Sequence, residues 1–448
     1  MIRIIRYKKT IVLSVLSIFL LLCTWLIYSD FYKKIFAGED ETITIGIFSD
    51  SYWEVQNGYS YRILEDAIAI FEEQHPGVRV EYVSGILKDD YSEWLSEQFL
   101  LGKAPDIFFV LAEDFNDFAE IGVFKDLTSL VTQDKEFHKE EFYSSAYEYG
   151  KYRGSQYALP YECAPKLMFV NKTILDKEGI NMPDDEWTWD EFYEICRKVT
   201  KDTDGNGTID QFGVVGYTWK EAFESNGIIL FDEKGTECYF ADDNVETALL
   251  FMEKIGKLNS GYTITSRDFD LGNVVFQPMS FSRYRAYKPY PLSVKKYSGF
   301  EWECMPMPAG PNGDNISTLD TLLLAMNDKT DREEYAWEFM KLLTSNTQIQ
   351  SEIFDYSEGV SVLKAVTESD QTLQSLIESS GDTGSLNLPI LSEAVENAVV
   401  APRFRNFDSA MSEVDKAVND ILAGNSNFSM EQIIWNRNIN KYLSNNGQ

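Results

Sequence analysis

Residues 43–83 read ITIGIFSDSYWEVQNGYSYRILEDAIAIFEEQHPGVRVEYV, and this stretch decides the fold. Ile43-Thr44-Ile45-Gly46-Ile47-Phe48 alternates β-branched and smaller residues, the pattern of a strand. From Gly58 to Gln74 the period becomes helical: Leu64, Ala67, Ile68 and Phe71 share a stripe, while Glu65, Asp66, Glu72 and Glu73 lie off it. His75-Pro76-Gly77 stops the helix, because proline cannot continue the ladder and glycine suits the turn. Val78-Arg79-Val80-Glu81-Tyr82-Val83 then alternates again. Strand, helix, strand is a βαβ unit, which implies a parallel pair with a right-handed crossover.

The pattern repeats outward from there. Tyr91–Leu101 reads as a second amphipathic helix ended by Gly102, and Asp106–Leu111 as an apolar strand. Further helices are expected at 172–179, 189–199, 245–258 and 331–343, and a pair of strands at 156–160 and 166–170. Thr188-Trp189-Asp190-Glu191 has capping-box spacing. The fold class is α/β. With 448 residues, the chain exceeds one ordinary core, so two lobes are expected.

Composition excludes several functions. Acidic residues outnumber basic ones 72 to 40, for a net charge of −32, and such a surface repels nucleic-acid backbones. Only His75 and His138 are available for imidazole chemistry, and neither has a Ser, Cys or metal-ligand neighbour at a useful spacing. Cys163, Cys196, Cys238 and Cys304 form no CxxC pair; three disulfide pairings and four free thiols all fit. A two-carboxylate glycosidase is the enzymatic alternative, but among so many acids candidate pairs carry no information, and no nucleophile or phosphate loop accompanies them. The chain is therefore expected not to be an enzyme.

At the N-terminus, Arg3, Arg6, Lys8 and Lys9 precede an uncharged apolar run from Ile11 to Tyr28, long enough to cross a bilayer. The basic cluster predicts a cytoplasmic N-terminus with the rest outside. A retained anchor, a cleaved signal peptide and a lipoprotein modified at Cys23 all fit; Leu22 before the cysteine and Trp25-Leu26-Ile27 after it favour the anchor.

Asp202-Thr203-Asp204-Gly205-Asn206-Gly207-Thr208-Ile209-Asp210 places oxygens at every second residue, like the front of an EF-hand loop. Asp202, Asp204 and Asn206 by side chain, Thr208 by carbonyl, and Asp210 directly or through water form the expected set for a structural Ca2+. Gly213 stands where a bidentate glutamate would close the shell. The alternative is a turn rich in Asp, Asn and Gly for backbone reasons.

Several phrases recur in a fixed order: Gly102-Lys103-Ala104-Pro105-Asp106-Ile107, Gly122–Leu127, Tyr157-Ala158-Leu159-Pro160-Tyr161, Met168–Lys172, Trp187-Thr188-Trp189-Asp190-Glu191-Phe192, Met305–Pro311 and Ala336–Met340. Together they resemble the extracellular solute-binding proteins of sugar-type ABC importers, the maltodextrin and multiple-sugar binders. The resemblance implies two α/β lobes with ligand held between them, each a mixed, mostly parallel sheet flanked by helices, and closure as the working motion. It divides the chain into a membrane segment and linker (1–41), a first lobe (42–162 and 325–358) and a second (163–324 and 359–448).

The implied ligand contacts are Trp53, Glu113, Asp114, Tyr161, Glu162, Tyr284 and Phe404, because sugars need flat apolar faces and hydroxyl acceptors. Trp53 and Phe404 could equally plug a core, and Glu113 and Asp114 could cap a helix. Met279–Tyr284 and Ser317–Thr321 depart from the family pattern. The implied role is a monomeric carrier on the outer face of the membrane, delivering a mono- or oligosaccharide to a permease. A tethered sensor and a binder of another solute are the alternatives.

Overall fold

The computed structural model describes residues 41–53, 59, 61–286, 300–380, 384–385, 388–424 and 428–446. The N-terminal segment with Cys23 lies outside the described residues. Among the described residues no helix is long and apolar enough to cross a membrane.

The βαβ unit forms as its periodicity requires. Strand β1 (Glu41–Gly46) pairs in parallel with β2 (Val78–Tyr82), and between them the helix Arg62–Gln74 buries Ile63, Leu64, Ala67 and Phe71. Strand β3 (Ile107–Val110) joins the other side of β1 in parallel. The helix Lys88–Leu101 leading into it ends on Gly102 at φ 66°, the left-handed region that glycine enters without a Cβ penalty. A two-stranded hairpin follows, β4 (Lys151–Tyr152) and β5 (Ser155–Gln156).

The two strands expected at 156–160 and 166–170 are one. Strand β6 runs unbroken from Ala158 to Asn171, buried at every position but Lys166. Prolines 160 and 165 argue locally for a break, yet the strand has partners on both edges, and the pairing absorbs the irregularity as a register shift at Leu322/Leu323. Its first half pairs antiparallel with β10 (Leu319–Met326), which continues to β3, and with β11 (Val360–Ser361). Its second half pairs antiparallel with β8 (Val274–Ser280) and β9 (Trp302–Met305). Strand β7 (Phe212–Val214) lies parallel on β8, and β12 (Gly384–Ser385) parallel on β9. The first sheet is parallel from β2 to β3 and antiparallel from β3 to β11, the second is antiparallel around β6 and parallel at both edges, and one strand threads both lobes.

The second lobe packs around Trp187, Phe192, Phe231, Phe240 and Phe276. The helix Trp189–Val199 starts on the full capping box of Thr188 and Glu191. Cys163, Cys196, Cys238 and Cys304 are free and buried.

The boundary expected at residue 359 is corrected. Residues 360–376 and 390–398 pack on the first lobe, while β12 between them pairs with β9 of the second sheet: β11 pairs in the first lobe, Tyr143 donates its amide N–H to the Val362 carbonyl (3.0 Å) and its hydroxyl reaches Ser392 (3.1 Å). Leu391 and Val395 belong to the first lobe's core. After Val399, whose N–H bonds the Ser317 carbonyl, the chain stays with the second lobe, and Phe404, Val414 and Val418 join its core. An amphipathic helix shows that it has a buried face but not which core receives it.

Candidate ligand-binding cleft

The turn after β1 carries Asp50–Trp53 over the ends of β3 and β6. Beneath it lies a small recess of about 50 Å³, lined by Phe48, Tyr52, Phe109, Tyr161, Glu162 and Ser357 among others. Alternation along β6 cannot by itself aim both Tyr161 and Glu162 at one space; the recess wraps the strand where it leaves the first sheet. The Tyr161 ring stands edge-on to Phe109 (5.0 Å between centroids), and its carbonyl accepts from Gln350 Nε2 at 2.9 Å.

Glu162 is the chemical centre. It is buried, accepts from Ser357 Oγ at 2.5 Å, and its pKa is pushed up to about 7 by burial, against the opposing pull of Ser357 and the Trp53 indole. Trp53 is buried and stands edge-on to Tyr52 at 4.7 Å. Both Glu162 and Trp53 converge on Gly359: a Cβ there would sit 2.5 Å from Glu162 Oε2 and 2.8 Å from Trp53 Nε1. From the second lobe, Arg285 reaches across beside them, donating to the carbonyls of Ile353 (3.2 Å), Phe354 (2.5 Å) and Gly359 (2.7 Å). Arg285 thereby ties its helix to the 353–359 segment that covers Glu162.

Glu113 and Asp114 occupy the first turn of the helix Ala112–Glu120, and neither caps it. Asp114 is half-buried, accepts from Ser92 Oγ at 2.5 Å, and has its pKa raised to about 6, chiefly by burial. Glu113 is exposed and acts electrostatically on Tyr52 and on Asp408. Tyr284 lies on the short helix Phe281–Ala286, and its side chain lies outside the described residues.

Phe404 is corrected to a core residue. It is 3% exposed and packs on Phe231 and Phe407 at 5.4 Å each, in the second lobe's interior and away from the recess.

Sequence reasoning missed the residues that complete the cleft. Tyr149 is buried, donates to the Val399 carbonyl at 3.1 Å, and lies in the field of Arg403, Asp320 and Glu224 together. Glu224, on the second-lobe helix Trp219–Ser225, has its pKa raised to about 8 by burial, and its Oε2 has no hydrogen-bond partner among the described residues. Lys166 pairs with Glu221 at 2.7 Å beside it. One available signal pointed to Arg403: if Phe404 faces the core, its neighbour in Pro402-Arg403-Phe404 faces elsewhere.

The acidic loop stands apart on the surface. Carboxylate oxygens of Asp202, Asp204 and Asp210 lie within 4.8 Å of one another. Asp202 accepts from the N–H groups of Gly205 (2.8 Å) and Gly207 (2.6 Å), both at positive φ, and Asn206 Oδ1 accepts from Thr208 N (2.8 Å). No side chain can stand at 213, where a Cβ would meet Cys196 at 2.5 Å.

Two lobes around a polar, aromatic recess with a shared hinge strand are the architecture of a capture protein, and the family comparison agrees. The family described as bacterial extracellular solute-binding protein matches residues 53–350. This chain belongs to that family. Within this family of solute-binding proteins, the chain is 22% identical over 360 residues to the maltotriose-binding protein of Pyrococcus abyssi, covering 78% of this chain and 72% of that one. It is 25% identical over 260 residues to a Streptomyces antibioticus protein described as an uncharacterized lipoprotein, covering 53% of this chain and about half (54%) of that relative. Among solved structures, the sugar-binding protein MalE of Xanthomonas citri superposes with TM-score 0.73 at 15% identity, covering 90% of this chain and 98% of that one. An ABC substrate-binding protein of Listeria monocytogenes in complex with cycloalternan gives 0.67 at 21%, covering 90% and 100%. These likenesses establish the two-lobed solute-binding fold.

Proposed function

We propose that this solute-binding protein captures a carbohydrate between its lobes and hands it to the permease of an ABC importer, without turnover, held at the outer face of the membrane by its N-terminal segment. One observation carries the reading. Aromatic faces (Tyr52, Tyr161) and the buried carboxyl of Glu162 line one recess beside the strand shared by the lobes, with Trp53 packed on Tyr52, the mix that sugar C–H faces and hydroxyls require. The sugar-binding relatives support the same class. In a thermal-shift screen of the full-length chain, a saturating saccharide is expected to raise the midpoint by about 3–4 °C, the effect of roughly 3 kcal/mol from mass action on a chain of this size. Shifts produced only by amino acids or polyamines would overturn the carbohydrate assignment.

For the acidic loop we propose structural calcium, on the strength of three converging carboxylates. Adding millimolar Ca2+ to chelator-treated protein is expected to raise the melting midpoint, and Asp204→Asn to remove most of that gain. An unchanged midpoint, or an equal response to Mg2+, would sink the site.

A further inference from the structure

Arg403 stands where the chain last crosses between the lobes. Its guanidinium lies over the rings of Tyr149 (4.5 Å) and Phe115 (5.4 Å). Rings receive the faces of the cation, not its in-plane N–H groups. Nε and Nη2 are both buried and have no hydrogen-bond partner among the described residues. Those two atoms are one edge of the planar group, two parallel donors spaced for the two oxygens of a single carboxylate.

Among the described residues, negative charge reaches the guanidinium only through space. Asp408, Tyr149 and Tyr52 act on Arg403 through space, and among the described residues no carboxylate forms an ion pair with it. Burial pushes the guanidinium below its usual pKa, the mark of a cation lacking compensation. The cleft also holds Glu113 and Asp320, but burial biases Glu162 and Glu224 toward their neutral forms, and Lys166 adds positive charge from the second lobe. A buried, unpaired guanidinium is costly to keep unless binding supplies its partner.

We propose that the captured solute is an acidic saccharide whose carboxylate takes the Nε–Nη2 edge of Arg403. This rests on the carbohydrate reading above and narrows it from neutral sugars to uronic-acid-bearing ones. Calorimetric titration of the full-length chain would compare trimers of galacturonate, glucuronate, mannuronate and guluronate with their methyl esters and with neutral trimers of galactose, glucose and mannose. One of the acids is expected to bind at least about 100-fold more tightly than its ester, since a site built around a charged hydrogen bond rejects the analogue lacking it. Arg403→Gln should erase that difference, and Arg403→Lys, which keeps charge without the fork, should retain part of it.

Should Arg403→Gln fail to fold, the acid-against-ester comparison on the unaltered protein decides alone. An ester or neutral trimer binding as tightly as the acid overturns the role of Arg403 and leaves the carbohydrate reading standing. Binding confined to non-carbohydrates in the screen overturns both.

Discussion

Glu162→Gln is expected to stabilise the ligand-free protein by about 2–3 kcal/mol at pH 8 and to change nothing at pH 4. The folded state holds the Glu162 proton with a pKa of about 7, against an ordinary 4.5. A raised carboxylate pKa means that protonation favours the folded state. The ionised form is penalised, the penalty grows as pH rises from 4.5 towards 7, and it is complete above 7. A shift of that size corresponds to about 3 kcal/mol. Glutamine keeps the shape and the bond from Ser357 while removing the charge, so it escapes the penalty only where the penalty exists. Urea unfolding at both pH values measures it, and an equal effect at pH 4 and pH 8 would refute the assignment. Glu224, raised to about 8 with an unpartnered oxygen, is expected to behave in the same direction. Glu162→Gln should also weaken solute binding by about 10-fold, because one of the two carboxyl oxygens available to a sugar hydroxyl becomes an amide NH2. Stability gained and affinity lost together are what a binding residue shows and a structural one does not.

Trp187→Ala is expected to cost about 3–5 kcal/mol and to unfold the second lobe first. Trp187 is fully buried, its ring lies against Phe276 (5.3 Å) and edge-on to Phe192 (5.5 Å), and Nε1 donates to the Pro306 carbonyl at 3.0 Å. Truncation leaves a cavity and a buried carbonyl without its donor. Since the first lobe has its own aromatic interior around Phe71, Phe108 and Phe115, calorimetry should resolve two transitions where the parent shows them merged. Solute binding should disappear at the lower one, because half of the cleft goes with it. A single transition at the parent's midpoint would contradict this.

The comparison between residues and structure separates along one line. Local physics made the βαβ unit, the Thr188 capping box and the Gly102 helix end legible, since each depends on residues within a turn or two of one another. The ordered phrases made the family legible, and with it a site near Tyr161 and Glu162, because those residues lie on the strand that any two-lobed arrangement must thread. Four things were decided only by tertiary structure. Strand β6 runs through two prolines because partners on both edges hold it. The helix Leu388–Glu396 and strand β11 belong to the first lobe because that core, not their own periodicity, receives them. Phe404 turns into the second lobe's core and Arg403 towards the first lobe because Phe231 and Phe407 fill one side while Tyr149 and Phe115 cover the other. The pKa of Glu162 lies near 7 because segments far apart in the chain bury it, and that burial outweighs the opposing pull of Ser357 and Trp53. Sequence determines what each segment can form; which surface faces which is settled by burial and charge acting between segments far apart in the chain.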